Sequence, residues 1–513
     1  MKEKLTREER RHALLIAILI VAGMLALAGL IWWASGWEVW EDKGSMPEES
    51  ATLLDAAQGM DSISVRAKLN EDQQMLSASQ VMTLTNRTGE ELDRIVLRSY
   101  SGAFLTEDTS PAATDELYDA CYPDGFSAGG LIMEKTYVQG ESLTYIWSDD
   151  AKTVLTLMLD TAWKPGETIT VELQYHVNVP ACAGRFGVYD GIWSLGNVFP
   201  TLAVREDGEW RTDSYCSIGD PFLSECTNWD VTLTLPEGYT LVGTDYAEGI
   251  AAGQQKEYTL TAHAVRDFAL VFGKGLQCVT GMEGDTLVIA CAKDRSRARE
   301  MLKYAKQALR CYEKRYGDYV YPSFTVTESA YALNTAEYPR MAMIGQSKAE
   351  AGGQSLEFAV AYAAAHQWWY AMVGSDSINQ AWQDESLCEY ALMDYIGDYY
   401  SADDRDSAIY QQIETALRIT ISRDITPGSP ITYFNDVTEY TQVVCRRGAA
   451  LWIALENYFG CDELDDLLRD YAETYRFAIA SRDDLTEVIS NHAGVDLSEL
   501  MADYLDTHID TLP

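Results

Sequence analysis

YAAAHQWWYAMVGSDSINQAWQDESLCEY, residues 362–390, holds two metal-ligating side chains at a set distance: His366 and, nineteen positions later, Glu385. The alanine-rich run before His366 favours a helix, which the pattern places over 354–373. A second helix, predicted over 381–399, carries Glu385. On the first helix, positions 362 and 366 are one turn apart and share a face. An imidazole and a carboxylate on neighbouring helices are the beginnings of a divalent-metal site. Yet position 362 is tyrosine and position 363 is alanine. The first helix therefore offers one nitrogen ligand where two could stand.

Working outward, further helices are predicted over 404–421, 438–458, 462–475, 483–492 and 497–508. Upstream, a strand in "DTLVIACA" leads into a helix, "SRAREMLKYAKQALRCYEKRYG", and a second strand follows in "SFTVTES". From about 60 to 275 the period is two. "SVRAKLN", "LSASQVMTLTN", "TITVELQYHV", "WDVTLTLP" and "QKEYTLTAHAV" alternate or are rich in β-branched residues. Turn signals such as "TGEE", "KPGE" and "PEGY" separate them. The expected architecture is multidomain: an all-β domain over 59–277, then a mainly helical α+β domain with a small sheet over 278–513.

An apolar fraction of 47% with only 13 prolines is that of a folded chain. A formal net charge of −40, spread along the chain, excludes a nucleic-acid partner, because phosphate binding needs a basic face. Residues 13–34, "ALLIAILIVAGMLALAGLIWWA", carry no charged side chain. At ~1.5 Å per residue they reach roughly 33 Å, enough for the ~30 Å hydrocarbon core. A cleaved signal peptide has an apolar region of only about 7–15 residues, so an uncleaved transmembrane anchor is expected. Lys2, Lys4, Arg7, Arg10 and Arg11 hold the 1–12 tail in the cytoplasm. Residues 35–58 read as a stalk, and the bulk of the chain is expected outside the cell membrane. None of the ten cysteines forms a C-x-x-C pair. Cys216 and Cys226 are the first pair expected to be bridged, in a compartment that permits disulfides. "NRT" at Asn86 is a glycosylation sequon.

A catalytic zinc needs three protein ligands and an open position for water. In a helical His-Glu-x-x-His site the two histidines bind the metal and the glutamate is general base. Besides His366 the chain has His12, His176, His263, His492 and His508, and local spacing brings none of them to the missing ligand position.

Residues 60–513 resemble the membrane alanyl aminopeptidase family of zinc metallopeptidases, peptidase family M1, in its short two-domain form. "RFGVYDGIWSLGNVFPTLAV", "SIGDPF" and "AVRDFALVF" resemble the family's N-terminal β domain in order and spacing. "NTAEYPRMAMIG" stands where the family has its Gly-x-Met-Glu-(Asn/Tyr)-Pro motif, and "CRRGAALWIALENYFG" matches its Tyr-x-Lys-Gly-Ala helix. The resemblance implies a saddle-like β domain followed by a thermolysin-like domain. It places His366 at the second zinc histidine, Glu385 at the zinc glutamate, and Glu337 at the glutamate that binds the substrate's amino group. Glu389 stands at an acid that supports the ligands from behind. It also marks three changes: Tyr362 for the first zinc histidine, Ala363 for the general base, and Cys445 for the tyrosine that steadies the oxyanion.

Losing a positioned general base costs ~10²–10⁴ in rate, and losing one oxyanion donor ~10²–10³. Losing a ligand threatens the metal and with it the activated water. The resemblance thus implies a zinc-enzyme scaffold in which zinc, the family's cofactor, is weakly held or absent. His366 is expected to be buried and bonded to Glu385. The Tyr362 hydroxyl is expected to fill the vacated ligand space and reach Glu389, and Cys445 to be a small buried hydrophobe. Three functions stay open: a membrane-anchored pseudo-peptidase that binds peptides with a free N-terminus or a partner membrane protein; an active zinc aminopeptidase using His366, Glu385 and Cys445; and a structural ectodomain of a membrane complex.

Overall fold

The computed structural model of the protein describes residues 46–421 and 423–512. The expected tail 1–12, the anchor 13–34 and the first part of the stalk, 35–45, lie outside the described residues. Among the described residues no helix is long and apolar enough to cross a membrane. The described residues form one compact unit. Within the expected stalk, Ala51–Ala57 is a helix, capped by Ser50, with Leu53 fully buried.

The β-rich part is built on an eight-stranded sheet. Its centre is Thr227–Pro236, Ser62–Asn70, Met75–Thr85 and Thr168–Asn178, side by side. Ser62–Asn70 buries every second residue from Ile63 to Leu69, so one face lies on the core and the other meets water. Two four-stranded sheets pack beside it. Asn86 is 2% exposed, and its amide donates to the carbonyls of Glu90 and Trp163 at 2.8 Å. The sequon is therefore spent inside the fold: the nitrogen that a glycan needs is buried and bonded.

A five-stranded sheet follows, in the order Gln277–Glu283, Thr286–Ala292, Ser323–Ser329, Met341–Gly345, Thr335–Tyr338. Ser323–Ser329 runs parallel to both of its neighbours and is buried along its length. Thr335–Tyr338, which carries Glu337, is the antiparallel edge. The expected Cys216–Cys226 bridge is not formed, and both thiols are free. The disulfide joins Cys278 to Cys291, because strand register sets those two residues opposite each other.

The helices run as the pattern predicted, with one correction that matters. The helix expected over 354–373 spans only Gly353–Ala365, and His366 is its cap. Beyond it the backbone widens, the N–H groups of Ala371 and Val373 reaching back five residues to the carbonyls of His366 and Trp368. Tyr370 takes φ 132°, a conformation rare outside glycine. The Tyr370 phenol is bonded to the buried carboxyl of Asp267, which holds that turn in place. The pattern of apolar residues continues through the turn, which is why the sequence read it as helix.

Candidate functional site

Three pieces of chain converge on Glu385. The first is the helix Gly353–Ala365, which presents Tyr362 and ends at His366. The second is the helix Trp382–Tyr399, whose first turn holds Asp384 and Glu385. Its approach is set by the loop before it, where Asp376 is bridged to Arg211 at 2.8 Å and Gly374 bonds to the carbonyl of Ala478. The third is Val437–Phe459, helical throughout but wound as a π-helix over Thr441–Arg447. The wide turn brings residues five apart to one side, so Tyr440 and Cys445 both reach Glu385. Gly448 lets this helix sit close: a Cβ there would lie 2.8 Å from the Cβ of Ser386.

Around Glu385 the geometry is that of a capped carboxylate. The Tyr362 hydroxyl donates to Oε2, and the Tyr440 hydroxyl donates to Oε1 at 2.9 Å. The Cys445 thiol points at Oε2 from 3.6 Å. Tyr362 was expected to reach Glu389; it bonds Glu385 instead. Burial keeps both phenols and the Cys445 thiol well above their ordinary pKa values, reinforced by Glu385 and Cys445 for the phenols and by Glu385 and Glu389 for the thiol. All three therefore stay protonated and donate.

His366 does not bond Glu385 as expected. Its Nε2 lies 3.9 Å from Oε2, and both ring nitrogens are buried without a hydrogen-bond partner. The Tyr362 ring stands edge-on to the imidazole, with centroids 5.2 Å apart. Burial alone would lower the His366 pKa, but Glu337, Glu385, Asp384 and Asp220 outweigh it and raise it. Asp384 is pushed up to about 8 by burial and then by Glu385.

Tyr362, Glu385, Tyr440 and Cys445 open onto a cleft of about 390 Å³, lined also by Arg185, Asp220, Tyr331, Glu337, Lys348, Glu389 and Arg446. A larger cavity of about 540 Å³ lies in the β-rich part, where its charged side chains Arg87 and Arg205 are already paired with Asp61 and Glu90. Glu337 and Glu389 are each 5% exposed, and each has one oxygen without a partner. Burial raises both, opposed by His366 at Glu337 and by Arg446 at Glu389, which is pushed up to about 7. Sequence reasoning missed Tyr440 and Arg446. No local signal marks Tyr440, because its approach depends on the π-helical turn.

The fold is the one seen in solved two-domain M1 zinc metallopeptidases. Residues 307–504 match the Peptidase family M1 domain. Among solved structures, a substituted form of the M1 zinc metallopeptidase from Deinococcus radiodurans aligns at 16% identity and TM-score 0.64, covering 89% of this chain and 96% of that one. The unsubstituted enzyme from the same organism aligns at 15% identity and TM-score 0.63, covering 88% and 94%. The substituted form bound to a Tyr-Ser-Ala substrate aligns at 15% identity and TM-score 0.62, covering 89% and 96%. No curated protein matches the chain.

The zinc that the family uses is poorly served by these residues. Both oxygens of Glu385 accept hydroxyls, the position one turn before His366 holds a phenol ring, and the Cys445 thiol is kept protonated. Among the described residues no group of three or more His, Cys, Asp or Glu side chains is placed to hold a metal ion. The donor set present does not fit a zinc centre with three ligands and an open position.

Proposed function

We propose that the chain is a family M1 member that no longer hydrolyses peptides and instead binds them by the free N-terminus, held at the cell membrane by residues 13–34. The observation that carries the loss of hydrolysis is the capped state of Glu385. Tyr362, Tyr440 and Cys445 occupy its acceptor positions, and Ala363 supplies no general base. Purified protein is expected to hold less than stoichiometric zinc and to turn over aminoacyl reporter substrates no faster than background. Near-equimolar zinc with chelator-sensitive hydrolysis would overturn this. Cys445→Ala would then test a His366, Glu385 and Cys445 ligand set.

Support for amine binding comes from Glu337. It is buried, lines the cleft, and has an oxygen with no partner. Burial disfavours its charged form, and an arriving ammonium reverses that penalty. Relatives of the same fold have been captured with Tyr-Ser-Ala and with L-arginine. Without a metal to anchor the carbonyl, the expected affinity lies between ~1 mM and ~1 μM, about 4–8 kcal/mol. Calorimetry with paired free and N-acetylated peptides tests it. Binding should vanish on acetylation and in Glu337→Gln; equal affinity within each pair would refute it. For the anchor, protease added to intact cells should digest the chain beyond residue 35 and spare an N-terminal tag. A secreted form beginning near Ser35 would argue for cleavage instead.

A further inference from the structure

The amine-binding reading uses one residue of the cleft, Glu337. The same cavity, besides its carboxylates, also carries cations. Arg446 lines it, with its Nε buried and without a hydrogen-bond partner. Among the described residues no hydrogen bond or salt bridge engages its guanidinium. The contrast with other arginines nearby is plain. Arg447 donates to the carbonyls of Ala416 and Ile419, and Arg185 is paired with Asp220 and bonds the carbonyl of Gly219. Lys348, on the helix Gln346–Ala351, is a second cleft cation with no ion pair among the described residues. A guanidinium presents its donors as a planar fork that matches a carboxylate. Glu389 lies within electrostatic reach of Arg446, but no hydrogen bond joins them among the described residues, so the half-buried guanidinium keeps donors open for an incoming carboxylate.

We propose that the cleft holds a short peptide by both ends, the N-terminal ammonium on Glu337 and the C-terminal carboxylate on Arg446, with Lys348 adding charge. The ligand class is a di- or tripeptide zwitterion. A volume of about 390 Å³ lies near the lower end of the ~300–1,000 Å³ range of small-ligand sites, room for such a molecule. The inference rests on the amine-binding reading, and adds to it a required free carboxylate and a limit on length.

The test is calorimetry on the purified full-length protein with trialanine in four forms: both ends free, N-acetylated, C-amidated, and blocked at both ends. Amidation should weaken binding ~10–100-fold, the scale of a hydrogen bond to a charged group. In Arg446→Gln the free and amidated forms should bind alike, both at the amidated level, while Arg446→Lys keeps part of the preference. A mere folding defect would weaken both forms equally and leave their ratio intact, which would refute the proposal. If acetylation abolishes binding but amidation leaves it unchanged, the carboxylate contact fails and the amine reading stands. If no form binds at millimolar concentration, both fail.

Discussion

Glu389→Gln should make the protein more stable at alkaline pH and leave it unchanged at acidic pH. The Glu389 carboxyl is 5% exposed and one of its oxygens has no partner. Burial raises its pKa to about 7 from an ordinary 4.5, Arg446 pulling it down and Glu385 adding to the rise. The difference of roughly 2.5 units, at about 1.4 kcal/mol each, amounts to about 3 kcal/mol. The folded state holds the proton more tightly than the unfolded one. Below pH ~4.5 both states are protonated and the site contributes nothing. As pH rises from there through 7, the unfolded chain gains the ionised form first, and stability is lost. Above 7 the whole penalty is present. Glutamine has nearly the same shape and cannot ionise, so it removes the slope. Urea unfolding of the full chain and the variant at pH 5, 6, 7 and 8 measures this. The two should agree within ~1 kcal/mol at pH 5 and diverge by up to ~3 kcal/mol in favour of the variant at pH 8. A difference that does not change with pH, or a variant less stable at pH 8, would refute the reasoning.

Tyr362→Phe removes one of the hydroxyls on Glu385 and should cost ~1.5–3 kcal/mol in urea unfolding, the worth of a hydrogen bond to a charged group; a change under ~0.5 kcal/mol would mean the contact is idle. Restoring a ligand and a base with Tyr362→His and Ala363→Glu should raise zinc per chain, read by atomic emission after gel filtration. Unchanged zinc would show that position 362 is not what excludes the metal. Digestion without reductant, followed by mass spectrometry of protein from an oxidising compartment, should yield a peptide linked through Cys278 and Cys291. A Cys216–Cys226 link in its place would contradict the strand pairing that sets 278 against 291.

Why Glu385 is capped rather than open can be traced to chain geometry. A regular α-helix through residues 437–459 would not direct Tyr440 and Cys445 to the same carboxylate, since positions five apart diverge at 3.6 residues per turn. The π-helical stretch Thr441–Arg447 removes that divergence. Tyr362 then closes the other side from a helix that ends four residues later, at His366. The result is a carboxylate satisfied by neutral hydroxyls, an arrangement that needs no cation.

Much of this was legible in the sequence because it is written in short range. Period-two alternation marks strands such as Ser62–Asn70, whose alternating burial follows from the pleat. Alanine content and apolar spacing mark the helices on either side of the site, and the nineteen-residue interval sets His366 and Glu385 on adjacent helices. Tyr362, Ala363 and Cys445 are likewise visible as letters, at the positions where the resemblance implies a ligand, a base and an oxyanion donor. The tertiary structure alone decided what those substitutions do. Which carboxylate Tyr362 meets, Glu385 and not Glu389, depends on how two helices cross. That Tyr440 joins it depends on one wide turn, and that Asn86 is closed to modification depends on strands distant in sequence. The Cys278–Cys291 bridge follows from register, which no spacing of cysteines reveals. In each case the energy is in contacts between segments far apart in the chain, and only the packed fold specifies which segments meet.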